Sequence, residues 1–177
     1  MADDLDTLIT DAMRACIGRQ LPLHTIPEPI PSSDIRRYCQ AVGDDNPLWW
    51  NDEVARAAGY RERRAPHLMI TQMGWRLGDR DPESLDESEW SGLVYPAGFT
   101  NFRNGGQEVE WLAPVYIGDL LSFQSRLTEI YARQGRMGPM IITKTETEIR
   151  NQDDIVVART TRTGIRLRAA RYEEARG

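Results

Sequence analysis

Four extended segments crowded into the last third of the chain set the strongest limit on what it can fold into. Residues 108–112, 120–131, 140–151 and 155–167 are rich in Val, Ile, Thr and aromatic side chains and read as strands. Gly135-Arg136-Met137-Gly138 and Asn151-Gln152-Asp153-Asp154 lie between the long ones as hairpin turns. Turns that short allow only antiparallel neighbours. Helical patterns come earlier, and one of them, near 66–78, carries Leu68, Met69, Ile70, Met73, Trp75 and Leu77 around most of its circumference. A helix apolar on nearly every side is a buried one. Helices first, strands after, and one apolar helix for the sheet to wrap predict an α+β fold.

The remaining pattern fills in the frame. Residues 3–18 read as an amphipathic helix with Leu5, Leu8, Ile9, Ala12 and Cys16 on one face, ended by Gly18. Pro22, Pro27, Pro29 and Pro31 forbid a helix over 21–31 and allow at most an edge strand. Ser32 or Ser33 can cap the next helix, whose stripe is Ile35, Tyr38, Cys39 and Val42 and whose end is Gly43. Asp44 to Pro47 is a turn, and a short helix over 52–58 follows. Residues 79–107 are polar and weakly patterned, the reading for a long connection. The chain divides into an N-terminal helix (1–20), one domain (21–167) and a charged tail (168–177).

Composition removes whole classes of function. A chain of 177 residues, 40% apolar, suits one domain with its own core. A formal charge of −5 argues against nucleic-acid and anionic-membrane partners. No apolar run reaches a membrane span, and the acidic start Met1-Ala2-Asp3-Asp4 is unlike a signal peptide, so a cytoplasmic location is expected. Cys16 and Cys39 fall on apolar helix faces and read as core residues rather than a disulfide. No Cys/His spacing suggests a metal.

Several ordered pieces carry a resemblance. They are Asp34-Ile35-Arg36-Arg37-Tyr38 running into Gly43-Asp44-Asp45-Asn46-Pro47, then Ala57-Ala58-Gly59-Tyr60 with Arg64-Ala65-Pro66. Gly106-Gln107-Glu108-Val109-Glu110-Trp111 with Pro114-Val115 and Gly118-Asp119 follow, and Gly135-Arg136 with Asn151-Gln152 close the series. Together the set resembles the MaoC-like hydratase/dehydratase family, in its FAS1-like or MaoC N-terminal dehydratase branch. The resemblance implies a single hot-dog domain, an antiparallel sheet wrapped around a central helix, and dimers whose sheets join edge to edge. It also implies reversible, R-specific addition of water to an enoyl thioester carried on coenzyme A or a carrier protein, with no metal or redox cofactor.

In that family an Asp is followed five residues later by a His, and the two orient the water. Asp44 stands at the Asp position and Trp49 at the His position. Indole N–H donates but neither accepts nor shuttles a proton, so Trp49 cannot serve as the base. Asp44 is then either a catalytic carboxylate or a turn residue bonding nearby backbone. Asn46 matches the motif and also suits an ordinary turn. Trp49 either fills the vacated site or packs in the core. His67, at the start of the apolar helix, is either a displaced base or a helix-start residue. The resemblance places Ala65, Pro66 and Leu68 at the pocket, where backbone N–H groups meet the thioester oxygen. Arg61, Arg63 and Arg64 either meet coenzyme A phosphates or an acidic carrier, or form a solvated cluster.

Three functions follow. The first is a subunit of a heteromeric hydratase, lacking the His and shaping the acyl pocket beside a MaoC-like partner that keeps Asp and His. The second is a self-sufficient hydratase, alone or as a homodimer, using Asp44 with His67 or Tyr60. The third is a non-catalytic binder of acyl thioesters.

Overall fold

The computed structural model describes residues 5–73 and 93–168. Five antiparallel strands make one sheet: β1 (His24–Thr25), β2 (Asn101–Trp111), β3 (Ser122–Gly135), β4 (Gly138–Arg150) and β5 (Val156–Leu167). Their spatial order is β1-β3-β4-β5-β2. The expected long strands are present, and β3 and β4 join through Arg136-Met137 alone. Gly138 holds a φ of 115° there, open to glycine and strained for any other residue. The proline-rich segment contributes only the two residues of β1, on the sheet edge.

Among the described residues four α-helices precede the long strands: α1 (Asp11–Arg14), α2 (Ser32–Val42), α3 (Asp52–Ala57) and α4 (His67–Met73). Met69, Ile70 and Met73 of α4 pack with Ile35 and Cys39 of α2 and with Phe123, Ile149 and Ala158 of the sheet. A curled antiparallel sheet closed around one helix is the hot-dog architecture, in one α+β domain. A second cluster joins Leu8, Met13 and Cys16 of the N-terminal segment to Leu127, Ile130 and Ile141. Both cysteines are buried and free.

Several local readings change. The helix expected over 3–18 is broken into a 3₁₀ turn at Leu5–Leu8 and the single turn α1. Thr10 divides them: its hydroxyl accepts the Met13 N–H and starts a new helix, which buries Met13 and leaves Ala12 exposed. Helix α2 starts from Pro31 with no side-chain cap, not from Ser32 or Ser33. Strand β2 begins at Asn101, inside the expected connection. Its polar sequence hides it, yet it pairs with β5 along nearly its whole length, with a bulge between Asn104 and Gln107. Helix α4 is not buried all round: Leu68 is 62% exposed, and Gln72, one turn on, is also exposed. Residues 74–92 and 169–177 lie outside the described part, and with them Trp75, Leu77, most of the long connection and the charged tail.

Candidate functional site

The motif region is assembled by helix ends. Helix α2 stops at Gly43, which takes a left-handed conformation (φ 70°) and turns the chain into Asp44. Asn46 then starts a 3₁₀ turn, Pro47–Trp49, by accepting the Leu48 N–H on its side-chain oxygen at 3.0 Å. Asn51 caps α3 in the same way. Each of these short polar side chains satisfies a backbone donor at a helix start.

Asp44 is engaged on both carboxylate oxygens. Its Oδ1 accepts the Asn46 N–H at 3.1 Å, and its Oδ2 accepts the Trp49 Nε1–H at 2.9 Å. Trp49 is 7% exposed and belongs to the main core cluster. The indole thus occupies the protein interior and turns its one polar atom back onto Asp44. A carboxylate held this way has one lone pair of each oxygen committed to neighbours five residues or fewer away. The negative charge of Asp44 also reaches Tyr38 and Cys39. Burial first, and then neighbouring negative charge, raises the hydroxyl of Tyr38 and the thiol of Cys39 above their ordinary values.

His67 is connected to Trp49 through Arg64. The Arg64 guanidinium sits 5.8 Å from the Trp49 ring centroid and 4.3 Å from that of Tyr60. Its Nη2 hydrogen-bonds His67 Nε2. Guanidinium only donates, so Nε2 is the acceptor and the neutral ring carries its proton on Nδ1. Burial, followed by the Arg64 charge, holds the imidazole below the ordinary histidine value. The ring also stacks on Trp111, with centroids 4.7 Å apart and planes 19° apart. Neutral His67 therefore presents a donor, with its basic nitrogen taken up by Arg64.

Arg64 is a rare environment for a cation. It is 6% exposed, and its Nε has no hydrogen-bond partner. Aromatic faces and an imidazole surround it where a carboxylate is usual. Arg61 and Arg63 are differently placed. Arg61 Nη2 bonds buried Asp119 Oδ1 at 3.0 Å, and its Nε bonds Glu62. Arg63 bonds Asp52 by both its backbone N–H and its Nε. The three arginines thus do not form one solvated cluster.

Ala65 and Pro66 are buried, and the Ala65 N–H bonds the Val115 carbonyl at 2.8 Å. Leu68 faces outward from α4. His24 is half-buried, its ring tilted against Phe123 at 6.2 Å. The structure gathers Asp44, Asn46, Trp49, Tyr60, Arg64 and His67 in one connected set and leaves Arg61 with Asp119. Sequence reading missed the Arg64–His67 pair and the Trp111 stack. The i,i+3 spacing of Arg64 and His67 was a signal for the first, and no local pattern pointed to the second.

A family model described as "FAS1-like, dehydratase domain region" matches residues 15–160. The chain belongs to the FAS1-like dehydratase family. This FAS1-like chain is 29% identical over 128 residues to a probable enoyl-CoA hydratase alpha subunit of Thermomonospora curvata, spanning 67% of itself and 39% of that longer protein. Its fold is similar to a chain of the ChsH1–ChsH2 complex of Mycobacterium tuberculosis, with a TM-score of 0.75, 20% identity, and coverage of 94% and 93% of the two chains. It is also similar to a chain of the HadBC (3R-hydroxyacyl-ACP dehydratase) complex of the same organism, with a TM-score of 0.65, 21% identity, and coverage of 89% and 99%. The FAS1-like fold is thus shared with hydratases and dehydratases, some of them heteromeric. Among its described residues no helix is long and apolar enough to cross a membrane.

Proposed function

We propose that this chain is one subunit of a heteromeric, R-specific enoyl-thioester hydratase or 3-hydroxyacyl-thioester dehydratase. It shapes the acyl pocket, while a MaoC-like partner with an intact Asp-to-His motif supplies the acid and base. The observation that carries this reading is the 2.9 Å bond from Trp49 Nε1 to Asp44 Oδ2. Hydration needs a group that takes a proton from water and one that delivers a proton to the α-carbon. Here the side chain five residues after Asp44 can only donate, and it spends its one donor on Asp44 itself. His67 is no substitute, because its acceptor nitrogen faces Arg64.

Support for a partner comes from the comparisons. The relative from Thermomonospora curvata is named as an alpha subunit, and two of the structures this fold resembles are two-component complexes. The reaction asks for no metal or redox cofactor, because the thioester carbonyl itself acidifies the α-carbon. The acyl thioester, on coenzyme A or a carrier protein, is the substrate.

The test is an enoyl-CoA hydration assay on the chain alone and mixed with a MaoC-like protein that keeps the Asp-to-His motif. Turnover only in the mixture is expected. A normal rate from the isolated chain would remove the partner reading, and loss of that rate in Asp44→Asn would then assign the chemistry to Asp44. Acyl-CoA binding without turnover under either condition would instead favour a non-catalytic binder.

A further inference from the structure

The concave face of the sheet is not uniformly apolar. Register places Phe123, Ile149 and Ala158 in one row, and Ser125, Thr147 and Thr160 in the next. Thr145 follows beside Arg162, and beyond them come Ile130 and Ile141. A belt of hydroxyls therefore separates the two apolar clusters. It lines a cavity of about 130 Å³, which Thr71 of α4 also borders. Leu21, Phe123, Ile149, Gln107 and Arg162 complete its lining.

The hydroxyls are not all spoken for. Ser125 and Thr147 bond each other at 2.8 Å, and Thr71 donates to the Leu68 carbonyl. Thr145 and Thr160 have no hydrogen-bond partner among the described residues, although Thr160 is only 6% exposed. Neither is sealed in protein, where Arg64 Nε is the one such orphan among the described residues. Both therefore open on the cavity. A hydroxyl that opens on such a cavity takes water or a bound polar group as its partner. Space of this size holds about four waters, or a short segment of a ligand.

The belt lies close to the motif region. Trp111, on which His67 stacks, pairs with Ala158, and Thr160 is two residues further along β5. At about 3.3 Å per residue the hydroxyls begin about 7 Å from that point. A medium-length chain anchored near His67 spans this distance.

We infer that the acyl group accommodated by this chain carries a neutral oxygen function, a hydroxyl or keto group, within its length, and that Thr145 and Thr160 receive it. This inference rests on the acyl-thioester reading above. A plain alkyl tail would expel water from these hydroxyls and return nothing, whereas a keto or hydroxyl oxygen accepts or donates there. Discrimination built on hydrogen-bonding groups in a pocket is stronger than discrimination by one methylene.

Calorimetry of octanoyl-CoA and of octanoyl-CoA bearing a mid-chain keto group, on the whole chain together with any partner that co-purifies, tests it. The keto compound should bind about tenfold tighter, the ratio one well-made hydrogen bond supplies. Thr160→Val keeps the shape, removes the hydroxyl, and should bring the ratio near one. Thr145→Val, at a less buried position, serves the same purpose if Thr160→Val does not fold. Equal binding by the wild type, or a preference that survives both substitutions, would overturn the oxygen-function inference alone. Failure of both thioesters to bind would overturn the acyl-thioester reading and this inference with it.

Discussion

Asp44 and Trp49 are joined by a bond that works on stability whatever the site does in a complex. The carboxylate ties the end of α2 to the 3₁₀ turn through the Asn46 N–H and ties both to the core through the indole. Hydrogen bonds to a charged acceptor contribute about 1.5–3 kcal/mol each when partly buried. Asp44→Ala is therefore expected to lower the unfolding free energy by about 2–3 kcal/mol, and Trp49→Phe by about 1–2 kcal/mol. The double variant should fall short of the sum, because both changes remove the same bond. Urea denaturation of the four proteins reads this directly, and strict additivity would mean that the bond contributes nothing. His67 makes a second residue-scale prediction. Its folded-state value lies below the ordinary 6.5, with burial the main cause and Arg64 the second. The unfolded chain then binds the proton more readily than the folded one. The stability tied to neutral His67 is fully present above 6.5 and is lost as pH falls from there toward the folded value. Urea midpoints measured from about pH 8 to about pH 5 should decline in wild type and decline less in His67→Gln.

At the level of elements, the glycine after α2 is the sharpest test of the reading from sequence. Gly43 was expected to close that helix, and it does so in a left-handed conformation with open space around its missing side chain. Gly43→Ala is thus expected to cost about 1 kcal/mol through backbone strain alone, and Gly43→Asn less. Thermal unfolding of the two variants separates strain from crowding, since the larger Asn would be the worse of the two if space were limiting. The long strands and the hairpin at Arg136-Met137 were legible for a related reason: each rests on a local pattern of period or turn residue. Strand β2 was not legible, because its stability comes from backbone pairing with β5 and both its faces are largely exposed. The break at Thr10 was missed because a Thr inside an amphipathic pattern looks like a helix interior until its hydroxyl is seen bonding Met13. The hydroxyl belt was present in the alternation Thr145, Thr147, Ile149 along β4. Without the register of β3 and β5 that alternation could not be told from an ordinary solvated strand face.

Across the whole molecule, Asp119 is where separate parts of the chain are fastened. It is 1% exposed and accepts from Arg61 Nη2 at 3.0 Å, from the Tyr116 N–H at 2.8 Å and from Gln152 Nε2 at 3.2 Å. Its backbone adds a fourth tie, since the Ile30 N–H bonds the Asp119 carbonyl at 2.9 Å. The proline-rich segment, the arginine segment before α4 and the turn between β4 and β5 therefore meet at one residue, the first through its backbone carbonyl and the other two through its carboxylate. Arg61 also lies over the Tyr116 ring at 4.1 Å. Removing one member of a buried ion pair leaves the other without compensation and costs about 3–5 kcal/mol in a fully buried setting. Arg61 is half solvated, so Asp119→Ala is expected at the lower end, about 3 kcal/mol. Asp119→Asn keeps an acceptor for Tyr116 and loses the charge, and a smaller loss of about 1–2 kcal/mol is expected. Arg61→Ala strands the buried carboxylate, which water reaches poorly, and should cost as much as Asp119→Ala rather than the small amount typical of an exposed arginine. Denaturant midpoints decide among these. An Arg61→Ala protein as stable as wild type would show that Asp119 is held by its backbone and Gln152 partners alone, and that Arg61 is free to meet a phosphate on a bound thioester.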